Sequence, residues 1–296
     1  MILLMTVHPV EAQWIEQVRL GRADFDGDGV AEIVAGGRVG PYVASHVPLS
    51  MRRARIEILR DGNTIGAPLA TTGELRVLED VTAGDLDGDG EPEVLAVGGG
   101  WLTAFKKDGQ QLRNVASLHL GGVTARVALS RLGVVAVTVY DIDDEGDSGL
   151  TTVFLLALMN GKFVERGDIR VRGHVGDLTF FGLSERRHGL VAETGGGEEG
   201  GDASVWDVSL PGSPVPVWSG RVNSGRRALV VTSLGMSHSV AFGSLDGTVS
   251  VCEWTGAGLR VVDNVRLGPV EDLLPMASSW LVSSSLGNRP LRNFAR

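Results

Sequence analysis

The stretch Asp24-Phe25-Asp26-Gly27-Asp28-Gly29-Val30-Ala31-Glu32-Ile33-Val34 decides the reading of this chain, because it recurs as Asp85-Leu86-Asp87-Gly88-Asp89-Gly90-Glu91-Pro92-Glu93-Val94-Leu95. Each copy sets carboxylates at positions 1, 3, 5 and 9 and glycines at positions 4 and 6, then enters an apolar run. Hard cations such as calcium take six to eight oxygen ligands, and a short loop supplies them only by curling around the ion. Curling points alternate residues inward, and the glycines allow the tight turns, including positive φ. Asp24, Asp26, Asp28 and Glu32 are the candidate ligands of the first loop, with the backbone carbonyl of Val30 at position 7. Asp85, Asp87, Asp89 and Glu93 are those of the second, with Glu91 at position 7. The expected cofactor is Ca2+ at two sites, with Mg2+ as a substitute.

An EF-hand shares the first half of the pattern but closes with Glu at position 12 between two helices. Here position 12 is Ala35 or Ala96, and the flanks are short β-rich runs ending in Gly36-Gly37 or Gly98-Gly99. The alternative to a metal cage is an acidic turn without an ion, in which four spaced carboxylates repel one another.

The pattern D-x-D-G-D-G-x-x-E, running into an apolar strand and Gly-Gly, resembles the FG-GAP repeat of integrin α-subunit β-propellers. The full motif covers about a tenth of the chain. The resemblance implies a β-propeller with calcium between the first two strands of a blade. By motif position it puts the ligands at Asp24, Asp26, Asp28 and Glu32, and at Asp85, Asp87, Asp89 and Glu93.

The strand after the loop continues through the chain where the loop has decayed. It recurs as Val34-Ala35, Leu95-Ala96, Val135-Ala136, Val191-Ala192, Val240-Ala241 and Val282-Ser283, about 50 residues apart. Periods of about 40–50 residues with four strands each mark propeller blades. Six such repeats account for the 296 residues. The expectation is one all-β domain over 1–296, a β-propeller of six blades of four antiparallel strands. The blades span 12–74, 75–121, 122–172, 173–224, 225–268, and 269–296 with 1–11. Leu3–Val7 would supply the last strand and close the ring, which removes exposed sheet edges. Blade one carries an insertion from Arg38 to Arg53, and blade four an acidic glycine-rich loop over 195–202.

Composition bounds the function. The formal net charge is −9, and the two loops hold nine acids, so the rest of the chain is balanced. That leaves no basic footprint for nucleic acid. The single Cys252 excludes an internal disulfide. No apolar run reaches the ~18 residues of a transmembrane helix. The first residues lack a basic segment and carry too short an apolar run for a signal peptide. The expected location is therefore cytoplasmic, or extracellular if a leader has been removed.

The weaker motifs carry less. Asp141-Ile142-Asp143-Asp144-Glu145-Gly146-Asp147 resembles a third cation loop but follows its strand, and its position 9 is Gly149. Gly146-Asp147-Ser148-Gly149 lacks the histidine segment a serine triad needs. Arg166-Gly167-Asp168 reads as a turn between strands. The six histidines show no zinc spacing. With no catalytic constellation, the expected function is a non-enzymatic calcium-binding propeller that scaffolds a protein complex, its partner unnamed by the sequence. An extracellular adhesion or glycan-binding propeller is the alternative, and a polysaccharide-active enzyme a third reading.

Overall fold

The computed structural model describes residues 15–39, 53–60, 68–141, 149–194, 202–222, 228–233, 238–244, 247–266, 272–275, 279–283 and 292–295. Among them the regular structure is all β, in consecutive antiparallel meanders. The first comprises β1 (Ile15–Ala23), β2 (Glu32–Val39), β3 (Ala54–Leu59) and β4 (Ala70–Thr71). The second comprises β5 (Asp80–Gly84), β6 (Glu93–Gly98), β7 (Trp101–Asp108) and β8 (Gln111–His119). A parallel pairing of Thr71 with Gln111 joins these two into one eight-stranded array.

Three four-stranded sheets follow. They are β9 (Val123–Leu129), β10 (Val134–Tyr140), β11 (Leu150–Met159) and β12 (Lys162–Arg172); β13 (Leu178–Ser184), β14 (Arg187–Glu193), β15 (Asp202–Asp207) and β16 (Val215–Arg221); and β17 (Ala228–Ser233), β18 (Ser239–Ser244), β19 (Thr248–Trp254) and β20 (Leu259–Arg266). The last sheet has three described strands, β21 (Asp272–Pro275), β22 (Ser279–Ser283) and β23 (Arg292–Ala295). The first strands of successive meanders lie beside one another in a cycle: β1 by β5, β5 by β9, β9 by β13, β13 by β17, β17 by β21, and β21 by β1.

Burial explains which segments read clearly as strands. The second strands are apolar on both faces: Val94 to Val97 in β6 and Val240 to Phe242 in β18 are all buried. A strand covered on both sides needs such a continuous run, whereas a half-covered strand alternates. The fourth strands β8 and β20 are mostly exposed, so their apolar signal is thin. Hairpin turns use residues that tolerate positive φ. Asn160 (φ 52°) and Gly161 (φ 72°) join β11 to β12, with Met159 paired to Lys162, as a two-residue turn requires.

The core lies between consecutive sheets. One cluster joins Leu95, Val97 and Leu102 of the second meander to Val127, Val135 and Leu156 of the third. Others join the first to the second, the third to the fourth, and the fourth to the fifth. Fully burying one such aliphatic side chain is worth about 1.5–3 kcal/mol, so the inter-sheet faces dominate stability.

Several expected features lie outside the described residues. These are the Leu3–Val7 closing strand, the Arg38 to Arg53 insertion between 40 and 52, the acidic loop over 195–201, and the 141–147 turn beyond Asp141. No helix among the described residues is long and apolar enough to cross a membrane.

Candidate metal centres

Both acidic loops join the first strand of a meander to the second, β1 to β2 and β5 to β6. An apolar residue at position 2 anchors each one: Phe25 and Leu86 are buried in the core beneath their loops. Their N–H groups donate to the position 9 carboxylates, Phe25 to Glu32 Oε2 at 2.7 Å and Leu86 to Glu93 Oε2 at 3.0 Å. The position 1 aspartate folds the turn. Asp24 accepts from Gly27 N–H at 2.7 Å and Gly29 N–H at 2.8 Å, while Asp85 accepts from Gly88 N–H at 2.7 Å and Gly90 N–H at 3.1 Å. Those bonds need left-handed backbone at both glycines of each loop, with φ of 75° and 84° in the first and 80° and 86° in the second.

The outcome is one carboxylate cluster per loop. Oxygens of Asp24, Asp26 and Glu32 lie within 4.8 Å of one another, as do those of Asp85, Asp87 and Glu93. Oxygens bound to one calcium at about 2.4 Å stand at most about 4.8 Å apart, so each cluster has the span of a single ion's ligand shell. The donor set, carboxylates alone, suits a hard cation.

Asp28 and Asp89 stand outside the clusters. Each instead accepts from the N–H two residues on, Asp28 from Val30 at 2.7 Å and Asp89 from Glu91 at 2.8 Å. Such a bond is a common habit of aspartate in turns, and Asp28 and Asp89 are exposed on the loop rim. Val30 and the Glu91 side chain are exposed on the same rim.

No protein-family model matches this chain. A comparison with curated proteins also returns no match. The functional reading therefore rests on the residues themselves.

The closing glutamates are electrostatically costly without an ion. Burial pushes the Glu32 carboxyl above its ordinary range, the Phe25 N–H opposes this, and the charges of Asp26, Asp24 and Asp28 push it further. Burial likewise raises Glu93, with Asp87 and Asp89 adding to the effect and the Leu86 N–H and Lys106 opposing it. A carboxyl whose folded pKa lies above its unfolded value penalises the fold once the pH exceeds both values. The penalty disappears as pH falls through the raised one. Glu32→Gln is therefore expected to raise the melting temperature in chelator at neutral pH, by a margin that vanishes in acid. At saturating calcium it should lower it. A lower melting temperature in chelator at neutral pH would contradict this reading.

Sequence reasoning missed two charged residues that act here. Lys106, on β7, reaches the second loop. Its Nζ lies 2.6 Å from Asp89 Oδ2, 2.8 Å from Glu91 Oε2 and 3.7 Å from Glu93 Oε1. The hydrogen bond from Lys106 holds Asp89 below its usual range. Only the strand register could have revealed it, since β6 and β7 pair Glu93 with Lys106. Asp80, which opens β5, is buried and bonds across to β9, where Val127 N–H donates to its Oδ2 at 2.9 Å.

Proposed function

We propose that this chain is a six-bladed β-propeller of FG-GAP type, braced by calcium in its first two blades, and that it acts as a non-enzymatic scaffold for protein partners. Support for the ring comes from the cyclic order of the first strands and from cores built between consecutive sheets. The observation that carries the cation reading is the repetition of one hydrogen-bond set in both loops. In each, the position 1 aspartate takes two glycine N–H groups, the position 9 glutamate takes the position 2 N–H, and positions 1, 3 and 9 converge.

In this reading the ion is structural. It would neutralise carboxylates that otherwise repel and fix the turn between the first two strands of each blade. Asp24, Asp26 and Glu32 would hold one ion, and Asp85, Asp87 and Glu93 the other. Asp28, Asp89 and the carbonyls of Val30 and Glu91 are the candidates to complete the shells. Magnesium could substitute, less well, because it demands a near-ideal octahedron. Calorimetry of chelator-stripped protein titrated with calcium is the test. About two ions per chain are expected, and absence of binding at millimolar calcium would remove the cage from the account.

A further inference from the structure

The two loops share their backbone hydrogen bonds but differ in the ion pairs their carboxylates make. Among the described residues, no ion pair reaches a carboxylate of the first loop. Arg60, next in register after the Ile33–Leu59 pair, is exposed and makes none there. Glu32 is 3 % exposed and accepts from Phe25 N–H at Oε2; among the described residues no donor reaches its other oxygen, and one of its oxygens lies within 4.8 Å of oxygens of Asp24 and Asp26. In the second loop an ammonium is already in place. Lys106 Nζ bonds Asp89 and Glu91 and stands 3.7 Å from the buried Glu93.

We infer that Lys106 is a tethered counter-ion of the second loop, so that the two loops differ in cation affinity. This inference rests on the cation reading proposed above. The first loop takes its ion without displacing anything. The second takes one only as the ammonium withdraws from Asp89, a candidate to complete the shell, and from its place 3.7 Å from Glu93. The second loop is thus held together in metal-free protein, and the first depends on metal.

Formal charge fits this division. The second loop has five acids against four in the first, and Lys106 offsets the extra one. Cation affinity in such loops follows ligand charge and site rigidity. Removing Lys106 leaves the second loop the more negative of the two and its rim carboxylates unclaimed.

The test uses the full chain with the first loop disabled by Asp24→Asn and Asp26→Asn. Calcium affinity is then measured calorimetrically with and without Lys106→Met. Lys106→Met is expected to tighten binding about tenfold, an increment on the scale of a few exposed ion pairs acting together. Lys106→Arg should leave binding weak. Independently of whether Lys106→Met folds, the parent protein should show two calcium affinities at least about tenfold apart. Asp26→Ala should remove the tighter and Asp87→Ala the weaker. Equal affinities in the parent protein, or unchanged affinity in Lys106→Met that still binds calcium, would overturn the counter-ion role and leave the cation reading intact. No calcium binding by the parent protein would overturn both.

Discussion

Asp80→Ala is expected to cost about 3 kcal/mol of folding stability, a loss that equilibrium urea unfolding should register. Asp80 is 7 % exposed and ties two meanders together. Its Oδ1 accepts from Val81 N–H at 3.0 Å and its Oδ2 from Val127 N–H at 2.9 Å on β9. Burial pushes its carboxyl up, and the charges of Arg126 and Arg19 pull it down. Arg126 continues the tie to the next meander, donating to the Gly176 carbonyl at 2.8 Å and standing 3.8 Å from Asp177 Oδ1. Alanine at 80 leaves a buried N–H without its acceptor and removes a carboxyl that interacts with the charges of Arg126 and Arg19. Because Arg126 keeps Asp177, the loss falls toward the lower end of the range for breaking buried pairs. Asp80→Asn keeps one acceptor and should cost about 1 kcal/mol. A loss under about 0.5 kcal/mol for Asp80→Ala would mean that this carboxylate does not join the sheets.

The second large effect is calcium-dependent. An ion present at about a hundred times its dissociation constant stabilises by about 2.7 kcal/mol per site, so two filled loops should add about 5 kcal/mol. Asp26→Ala combined with Asp87→Ala should erase that gain. Each aspartate accepts only one long backbone bond in its loop, at 3.3 Å and 3.2 Å, so little else is lost. In chelator the double variant should match the parent or exceed it slightly, since one repelling carboxylate leaves each cluster. Scanning calorimetry with and without calcium checks this. The parent is expected to shift upward by roughly 10 °C and the variant hardly at all. Equal shifts in both would place the ions elsewhere.

How much was legible in the sequence follows from local and non-local spacing. The loops could be read because every group that shapes them lies within nine residues, and the second strands because burial on both faces writes a continuous apolar run. The fourth strands β8 and β20 are mostly exposed, so their composition hardly differs from that of loops. Asp28 and Asp89 were placed inward by simple alternation. Each accepts from the N–H two residues on, a bond that Asp26 and Asp87 also make, so spacing alone does not tell which aspartates converge. Lys106 and Asp80 act through partners on other strands, and a lone lysine or an acid beside an acidic loop carries no mark of that. Phe25 and Leu86 did leave a mark: an apolar residue at position 2 of both acidic loops, which is the anchor beneath each cluster.

The most direct test of a calcium-braced ring is an anomalous difference map from crystals grown in millimolar calcium. Two peaks are expected per chain, one bound by Asp24, Asp26 and Glu32 and one by Asp85, Asp87 and Glu93, in the first two meanders. An empty map at both loops would contradict the account.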